Sequence, residues 1–325
     1  MQKVIQPVDR ELIIKELTQD KFIRETRKGG NLIYEVTAAD SPMTMREIGR
    51  LREISFRTGG GGTGKEIDID PFDTDPKHPY KQLIVWDPED KEIIGGYRYI
   101  HCKNLSTEKM ATSELFSFSE TFVQDYLPDT IELGRSFIQP KYQSTQNRSK
   151  SLYSLDNLWD GLGALMVKHT NLKYFFGKVT MYPTYNTQAR NILLNFLHKY
   201  FNDPDSLVTP IIPLECDKDN ARYSDLFKDT EHNDLQYKDA YKVLQKQLKE
   251  HGEHIPPLIN SYMNLSPTMK MFGTAINTEF GEVEESGILV HIQDIYPEKI
   301  ERYISPLKAW LQKIHIRWWR RNRNR

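Results

Sequence analysis

The hydrophobic and polar positions of this chain switch repeatedly between the period of a helix and the period of a strand. Apolar residues recur at three- and four-residue steps from Leu152 to Met166, which predicts an amphipathic helix over 151–169. Apolar runs predict strands at 31–37, 82–87, 92–101, 131–139, 173–181 and 287–295. Further helices are predicted at 9–25, 42–56, 113–126, 187–200 and 235–250. This order is typical of a mixed α/β (α+β) layer architecture.

One predicted strand carries charges through its interior. Glu132 and Arg135 lie in the segment IELGRSFIQPKYQ (131–143), which Pro140 breaks. Buried charges cost free energy unless they are paired or used. Residues three apart face opposite sides of a regular strand, so a shared site requires a bulge near Gly134. Without a bulge, Arg135 needs a buried acidic partner.

The loop that follows this strand is polar and basic. It offers Gln146, Arg148, Ser149 and Lys150 beside the free backbone amides at the start of the 151–169 helix. A helix N-terminus with adjacent cations favours a phosphate or pyrophosphate. The alternative is an ordinary exposed helix start. Together with the charged strand, this loop suggests an enzyme that acts on an anionic donor.

A glycine run, Gly59–Gly64 followed by Lys65, resembles a phosphate-binding P-loop. That interpretation is rejected because the run follows a helix, Glu66 stands where Ser or Thr is required, and an acidic loop follows. A lid over a site and a plain loop both remain open. The acidic residues Glu66, Asp68, Asp70 and Asp73 could bind a metal or an ammonium group, or could simply be solvated. No metal site and no Ser or Cys nucleophile is predicted.

Composition narrows the class of protein. The 44 Lys and Arg residues balance 45 Asp and Glu residues, which argues against a nucleic-acid binder. Two cysteines do not form a disulfide framework, and no apolar run approaches the ~20 residues of a membrane span. We expect no signal peptide and a cytoplasmic protein. The segment 317–325 combines five arginines with two tryptophans. This combination suits an anionic inner-membrane surface or the acidic face of a partner protein, or is a solubilising end.

Five segments in order resemble the GNAT superfamily: IDPFD (69–73), GGYRY (95–99), ELGRSFIQPKYQ (132–143), NLWDGLGAL (157–165) and the block 256–290. Within it they are most similar to the acyl-carrier-protein-dependent branch, which includes bacterial glycine N-acyltransferases formerly called hemolysins and ornithine lipid N-acyltransferases, and more remotely acyl-homoserine lactone synthases. The resemblance covers about 40–303. It implies the GNAT acyl-CoA N-acyltransferase fold, a central twisted mixed sheet with helices on both faces. The chain would divide into an N-terminal segment (1–39), a core (40–201), a charged insertion (202–255), a second core part (256–303) and a basic aromatic tail (304–325).

The resemblance also implies roles for single residues. Glu132 would be the catalytic base, with Arg98 and Arg135 beside the transfer centre, Asp70 and Asp73 facing it, and Arg52, Phe56 and Arg57 closing over it. The 131–139 strand would splay from the 173–181 strand to admit pantetheine, whose phosphate the 143–150 loop would hold. Two features depart from the family. The usual phosphate motif Q-x-x-G-x-G/A is missing, and Leu193 stands where many members place a tyrosine acid, which leaves Tyr182 and Tyr185 as candidates.

The implied reaction moves a long 3-hydroxy fatty acyl chain from acyl carrier protein to the amine of glycine, giving an N-acylglycine aminolipid or its precursor. Arg98 or Arg135 would hold the carboxylate of the acceptor. The protein needs no cofactor of its own, since phosphopantetheine on acyl carrier protein carries the donor. A separate O-acyltransferase would act later. Ornithine as acceptor, with Asp70 and Asp73 as a second acidic site, remains open, as do an acyl-CoA donor and a non-catalytic carrier-protein or lipid-binding module.

Overall fold

A computed structural model describes residues 1–143, 153–215, 226–227 and 234–304. The described residues form ten strands, β1 to β10 in chain order: Phe22–Glu25, Leu32–Val36, Lys81–Asp87, Glu92–His101, Phe116–Phe118, Thr130–Ile138, Tyr174–Met181, Val208–Pro210, Lys270–Asn277 and Val283–His291. Eight of these strands form a central sheet in the order β1-β2-β3-β4-β6-β7-β10-β9, and β5 pairs with β8 in a second, two-stranded sheet. Among the strands described, only β6 and β7 run parallel; the other pairings are antiparallel.

Eight α-helices are described, α1 to α8: Arg10–Glu16, Pro42–Gly59, Pro71–Thr74, Ser154–Lys168, Thr187–Phe201, Asp234–Glu250, Pro257–Met263 and Pro297–Tyr303. None of the helices described is long and apolar enough to cross a membrane. The predicted helices beginning near 42, 151, 187 and 235 are confirmed, because each has a regular apolar stripe to bury.

Alternate strand residues separate the sheet into two differently filled faces. On the face that carries α4 and α5, Leu83, Leu133 and Val179 pack in the largest apolar core. The opposite face carries α2, where Ile48 and Leu51 pack on Ile84. We call these the α4 face and the α2 face. The helix α6, from the predicted insertion, buries Ala240, Leu244 and Leu248 in the core of the α4 face. The five-part division of the chain stays a prediction.

The strand β6 departs from regular pairing at two places. Opposite β4, Gly134 pairs with Arg98 but Phe137 pairs with Gly96, so β6 carries an extra residue there. Arg135 sits at this bulge with φ 49°. Opposite β7, the parallel pairing ends at Leu133 and Gly177. The predicted bulge and splay are both confirmed, and the strands β6 and β7 diverge beyond Leu133.

Three local predictions are wrong. The helix predicted at 9–25 ends at Glu16, and Phe22–Glu25 instead forms β1, because its backbone pairs with β2. The segment 113–126 is not one helix: a 3₁₀ turn is followed by β5 and a π-helical turn, Phe122–Tyr126, with Phe116 and Phe122 buried in a separate small core. The last predicted strand, 287–295, lies at Val283–His291, and β9 was not predicted.

Candidate active site

A cavity of about 970 Å³ opens where β6 and β7 diverge. It is at the large end of the range of roughly 300–1,000 Å³ typical of small-molecule sites. Leu158 and Met181, from the core of the α4 face, line it, and so do Phe56 and Phe280, from the α2 face. The cavity therefore passes through the sheet at the splay. Its remaining walls include α7 and the segment 252–256.

The two sides of this cavity differ in character. Towards α4, the wall is built largely of apolar and aromatic groups: Leu155, Leu158, Tyr185, Ile255, Pro256, Pro257 and Leu258. Towards α2, it contains the charged side chains of Arg135, Lys178 and Glu285. A long apolar chain fits the first side, and a small charged substrate fits the second.

A ladder of alternating arginines and aspartates lies beside the charged side. Arg52 Nη1 is 3.0 Å from Asp73 Oδ2, and Arg98 Nη1 is 3.2 Å from the same oxygen. Arg98 Nη1 also donates to Asp70 Oδ1 at 2.6 Å. Arg135 continues the ladder, with its Nη2 3.6 Å from Asp70 Oδ2 and its Nε 3.0 Å from Asp68 Oδ2. The three aspartates of the acidic loop are thus paired with arginines, whereas Glu66 is exposed to solvent.

Local structure fixes the aspartates of this ladder. Asp70 caps α3 by accepting hydrogen bonds from the backbone amides of Phe72 and Asp73, and Asp73 accepts one from the Asp70 amide in return. Burial alone would raise the pKa of Asp73, but the Arg52 and Arg98 guanidiniums hold it well below its usual range. Asp73 therefore stays ionised. Among the residues described, no three His, Cys, Asp or Glu side chains are grouped as metal ligands.

Arg135 is the member of the ladder that reaches the cavity. Its left-handed backbone at the bulge turns the side chain towards Asp68 and Asp70. Its guanidinium lies 4.4 Å from the centroid of the Phe280 ring, and Phe280 packs edge-on against Phe56. Arg98 is nearly fully buried and does not line the cavity. Of the two arginines predicted to hold an acceptor carboxylate, Arg135 has the access.

Glu132 lies on the α2 face but behind the cavity wall. Its Oε2 accepts a hydrogen bond from the Tyr80 hydroxyl, and its Oε1 accepts one from the Thr112 amide at 2.8 Å. The Tyr80 oxygen in turn accepts from the Ala111 amide at 2.8 Å. Burial raises the pKa of Glu132. These contacts anchor the 3₁₀ turn at 111–114 on the sheet. The role of Glu132 as the base remains a prediction.

The three residues predicted to close over the site have different surroundings. Phe56 lines the cavity and Arg52 is buried in the ladder. Arg57 instead donates to Glu53 Oε1 at 2.7 Å. The amides of Thr63 and Gly64 also donate to Glu53, so the glycine-rich loop wraps a carboxylate of its own chain, which agrees with the rejection of the P-loop.

The glycine run packs against Tyr182, one of the two candidates for the general acid. A Cβ on Gly59 would lie 2.7 Å from the ring of Tyr182, and one on Gly61 would lie 3.0 Å from it. Glycine at these positions therefore lets the end of α2 approach Tyr182. Burial raises the pKa of Tyr182, and nearby Glu285 adds to the rise. Tyr182 and Tyr185 both line the cavity, and the hydroxyl of Tyr185 already donates to the His254 carbonyl at 2.9 Å.

Sequence reasoning missed the ion pair of Lys178 and Glu285. Lys178 Nζ contacts Glu285 Oε2, Asn277 donates to the same oxygen at 2.9 Å, and the Thr180 hydroxyl donates to Oε1 at 3.1 Å. Burial would raise the pKa of Glu285, but Lys178 lowers it below the ordinary value. The signal that could have revealed the pair is the one that revealed Glu132, a charge inside an otherwise apolar strand.

Two sets of predicted residues lie outside the part of the chain that the structure describes. These are the phosphate-binding residues Gln146, Arg148, Ser149 and Lys150, and the basic aromatic segment 317–325. Gln143 and Leu155, on the two sides of the 144–152 gap, both line the cavity.

Comparison with known proteins shows the family to which the chain belongs. The model for the acetyltransferase (GNAT) domain matches residues 51–151. The chain is 53% identical to a glycine N(alpha)-acyltransferase of Bacteroides thetaiotaomicron, over 94% of this chain and 90% of that protein. It is 51% identical to a glycine N(alpha)-acyltransferase of Phocaeicola vulgatus, over 94% of this chain and 93% of that protein. The chain belongs to this family of GNAT acyltransferases. The family predicted from the sequence is confirmed.

Among solved structures, the acyltransferase matches FeeM, an N-acyl amino acid synthase from uncultured soil microbes, with a TM-score of 0.41 and 8% identity over 81% of this chain and 93% of that one. It matches the acyl-homoserine lactone synthase LasI with a TM-score of 0.32 and 12% identity, over 46% and 72% of the two chains. The predicted GNAT-like fold is confirmed by the match to the GNAT domain and by the large mixed sheet with helices described above.

Proposed function

We propose that this acyltransferase moves a long 3-hydroxy fatty acyl chain from acyl carrier protein to the amine of glycine. The observation that carries the proposal is the cavity at the β6–β7 splay, which joins an apolar side to a charged side. A thioester placed in the splay would direct its acyl chain into the apolar side and its carbonyl towards Arg135. The names of the relatives support glycine as acceptor.

The chemistry is direct attack of an amine on a thioester, without an acyl-enzyme intermediate. Beyond Leu133, β6 no longer pairs with β7, and backbone amides that face the splay would stabilise the oxyanion. Arg135 would hold the carboxylate of the acceptor through paired N–H groups. Tyr182, which its raised pKa keeps protonated at neutral pH, would protonate the departing thiolate. Fixing both reactants in one cavity would supply much of the acceleration.

Glycine is favoured over ornithine by the state of the acidic loop. The side-chain ammonium of ornithine requires a second carboxylate, and Asp70 and Asp73 were the candidates. Both are already bonded to Arg98, and Asp73 is also bonded to Arg52. Neither aspartate lines the cavity, so the side-chain ammonium of an ornithine bound there would not reach them.

The donor and the location complete the proposal. Phosphopantetheine would place its phosphate against Gln146, Arg148, Ser149 and Lys150, and the tail 317–325 would contact acyl carrier protein or the inner surface of the membrane. A separate O-acyltransferase would then esterify the 3-hydroxyl group of the N-acylglycine. The protein itself would work in the cytoplasm.

The test is a competition assay with purified enzyme. 3-Hydroxyacyl thioesters on acyl carrier protein and on coenzyme A are offered separately with an equimolar mixture of glycine, ornithine and other amino acids, and the products are identified by mass spectrometry. We expect N-acylglycine from the carrier-protein donor. An N-acylornithine product would show that ornithine, and not glycine, is the acceptor. A preference for the coenzyme A thioester would show that coenzyme A, and not acyl carrier protein, carries the acyl donor. Carrier-protein binding without any amide product would indicate a binding module.

A further inference from the structure

The pair formed by Lys178 and Glu285 lies in the wall of the cavity on its charged side. Both side chains are almost completely enclosed, with exposed fractions of 9% and 3%. The register of β7 and β10 sets Glu285 opposite Thr180 and Lys178 opposite Gly287. Lys178 therefore reaches Glu285 along the diagonal between the two cross-strand pairs.

Glu285 retains capacity for a further hydrogen bond. Its Oε2 accepts from Lys178 and Asn277, whereas its Oε1 accepts only from Thr180 among the residues described. A carboxylate offers about four lone-pair positions, so one position on Oε1 stays available. Since Glu285 lines the cavity, a molecule bound there can reach it.

The neighbours of Glu285 suit a zwitterionic amino acid. Arg135 is close enough to lower the pKa of Glu285, and its guanidinium lines the same cavity. A carboxylate held by Arg135 and an ammonium held by Glu285 are the two charges of an α-amino acid. By contrast, Glu132 lies outside the cavity wall and serves the Tyr80 and Thr112 contacts.

We propose that Glu285 binds the amino group of the acceptor and accepts a proton from it during transfer, while Lys178 positions the Glu285 carboxylate. This inference rests on the proposed acylation of an amino acid. The nitrogen bonds to the thioester carbon, and the C–S bond breaks with its electron pair on sulfur. The ammonium loses two protons in total. One goes to Glu285 and then to solvent, and the other ends on the thiolate.

The experiment compares Glu285→Gln with Glu284→Gln. Glu284 is the adjacent strand residue, points to the other face and pairs with Arg190 outside the cavity, so it is a matched control for loss of one carboxylate from β10. Steady-state kinetics are measured with the acyl-carrier-protein donor and glycine. We expect Glu285→Gln to lower kcat by about 10²–10⁴-fold, as for loss of a proton acceptor, with the KM for the donor unchanged. Glu284→Gln should retain the kcat of the wild type.

A second variant covers misfolding. If Glu285→Gln does not fold, Lys178→Met/Glu285→Gln removes both charges together and should show the same loss of kcat. Wild-type kcat in either folded variant would overturn the role of Glu285, while transfer by the wild type would leave the proposed function intact. If the wild type forms no amide with any amino acid, the proposed function itself fails, and this inference falls with it.

Discussion

The substitution Asp73→Asn tests whether the arginine–aspartate ladder is desolvated. Asp73 and Arg52 are fully buried and Arg98 is 2% exposed, so asparagine would leave two guanidiniums facing a neutral amide. Breaking a buried ion pair typically costs about 3–5 kcal/mol, because the remaining charge is uncompensated. Asparagine keeps one oxygen that can serve the α3 cap, but its NH2 group would replace an oxygen that now accepts a hydrogen bond, for example the one from Gln82 Nε2 at 2.9 Å. The expected loss therefore combines the missing charge with one lost hydrogen bond.

The matched control is Glu11→Gln. Glu11 pairs with Lys91 at 3.0 Å, but both side chains are more than half exposed, and such pairs contribute about 0–1 kcal/mol. Urea unfolding is followed by tryptophan fluorescence and circular dichroism, whose transitions should coincide before a free energy is derived. A loss below about 1 kcal/mol for Asp73→Asn, equal to that of the control, would refute a desolvated ladder.

Three further outcomes follow from the contacts described. Glu132→Gln should lower the unfolding temperature, because it disturbs the contact with Tyr80, and should reduce kcat less than Glu285→Gln does, because Glu132 does not line the cavity. A larger loss of kcat than that of Glu285→Gln, at unchanged stability, would support Glu132 as the catalytic base. Gly59→Ala should destabilise the protein by about 1–3 kcal/mol in thermal unfolding, because the new Cβ would meet the Tyr182 ring, although alanine normally favours a helix. The control is Thr58→Ala, since Thr58 is exposed. Burial alone would raise the pKa of Glu35, but Lys168, Lys81 and Tyr99 lower it from 4.5 to about 2, so its contribution is present above pH 4.5 and is lost as pH falls towards 2. The difference in unfolding temperature between wild type and Glu35→Gln should shrink across that window, and a constant difference would contradict the pairing.

The local pattern of apolar residues was enough to predict the helices and strands whose conformation does not depend on distant pairing partners. The helices α4 and α5 and the β3–β4 hairpin follow from apolar periodicity. The bulge at Gly134 was predicted only as the condition for Glu132 and Arg135 to share a site, and it is present although only Arg135 of the two lines the cavity. The strand Phe22–Glu25 could not be separated from the preceding helix, because its conformation depends on pairing with β2.

Sequence reasoning identified only some of the charged residues that line the cavity. Arg135 was found because a charge interrupts an apolar strand. Glu285 also lies inside a strand, but that strand was predicted to begin at residue 287, so Glu285 was left outside it. Its role as a strand residue depends on pairing with β7 and β9, which are distant in the sequence. The partners of the acidic loop were likewise invisible, since spacing along the chain does not reveal which arginine faces which aspartate.

The position of β10 in the sheet affects how the protein reaches its active form. β10 lies between β7 and β9, and the cavity wall combines Phe56 with Glu285, more than two hundred positions apart. Contacts of such separation close large loops and form slowly. Until β10 docks, β7 is an open sheet edge, a template for wrong strand pairing. Synthesis on the ribosome would therefore pass through a long stage in which most of the fold exists without a working site, and that stage is when the chain is most exposed to aggregation.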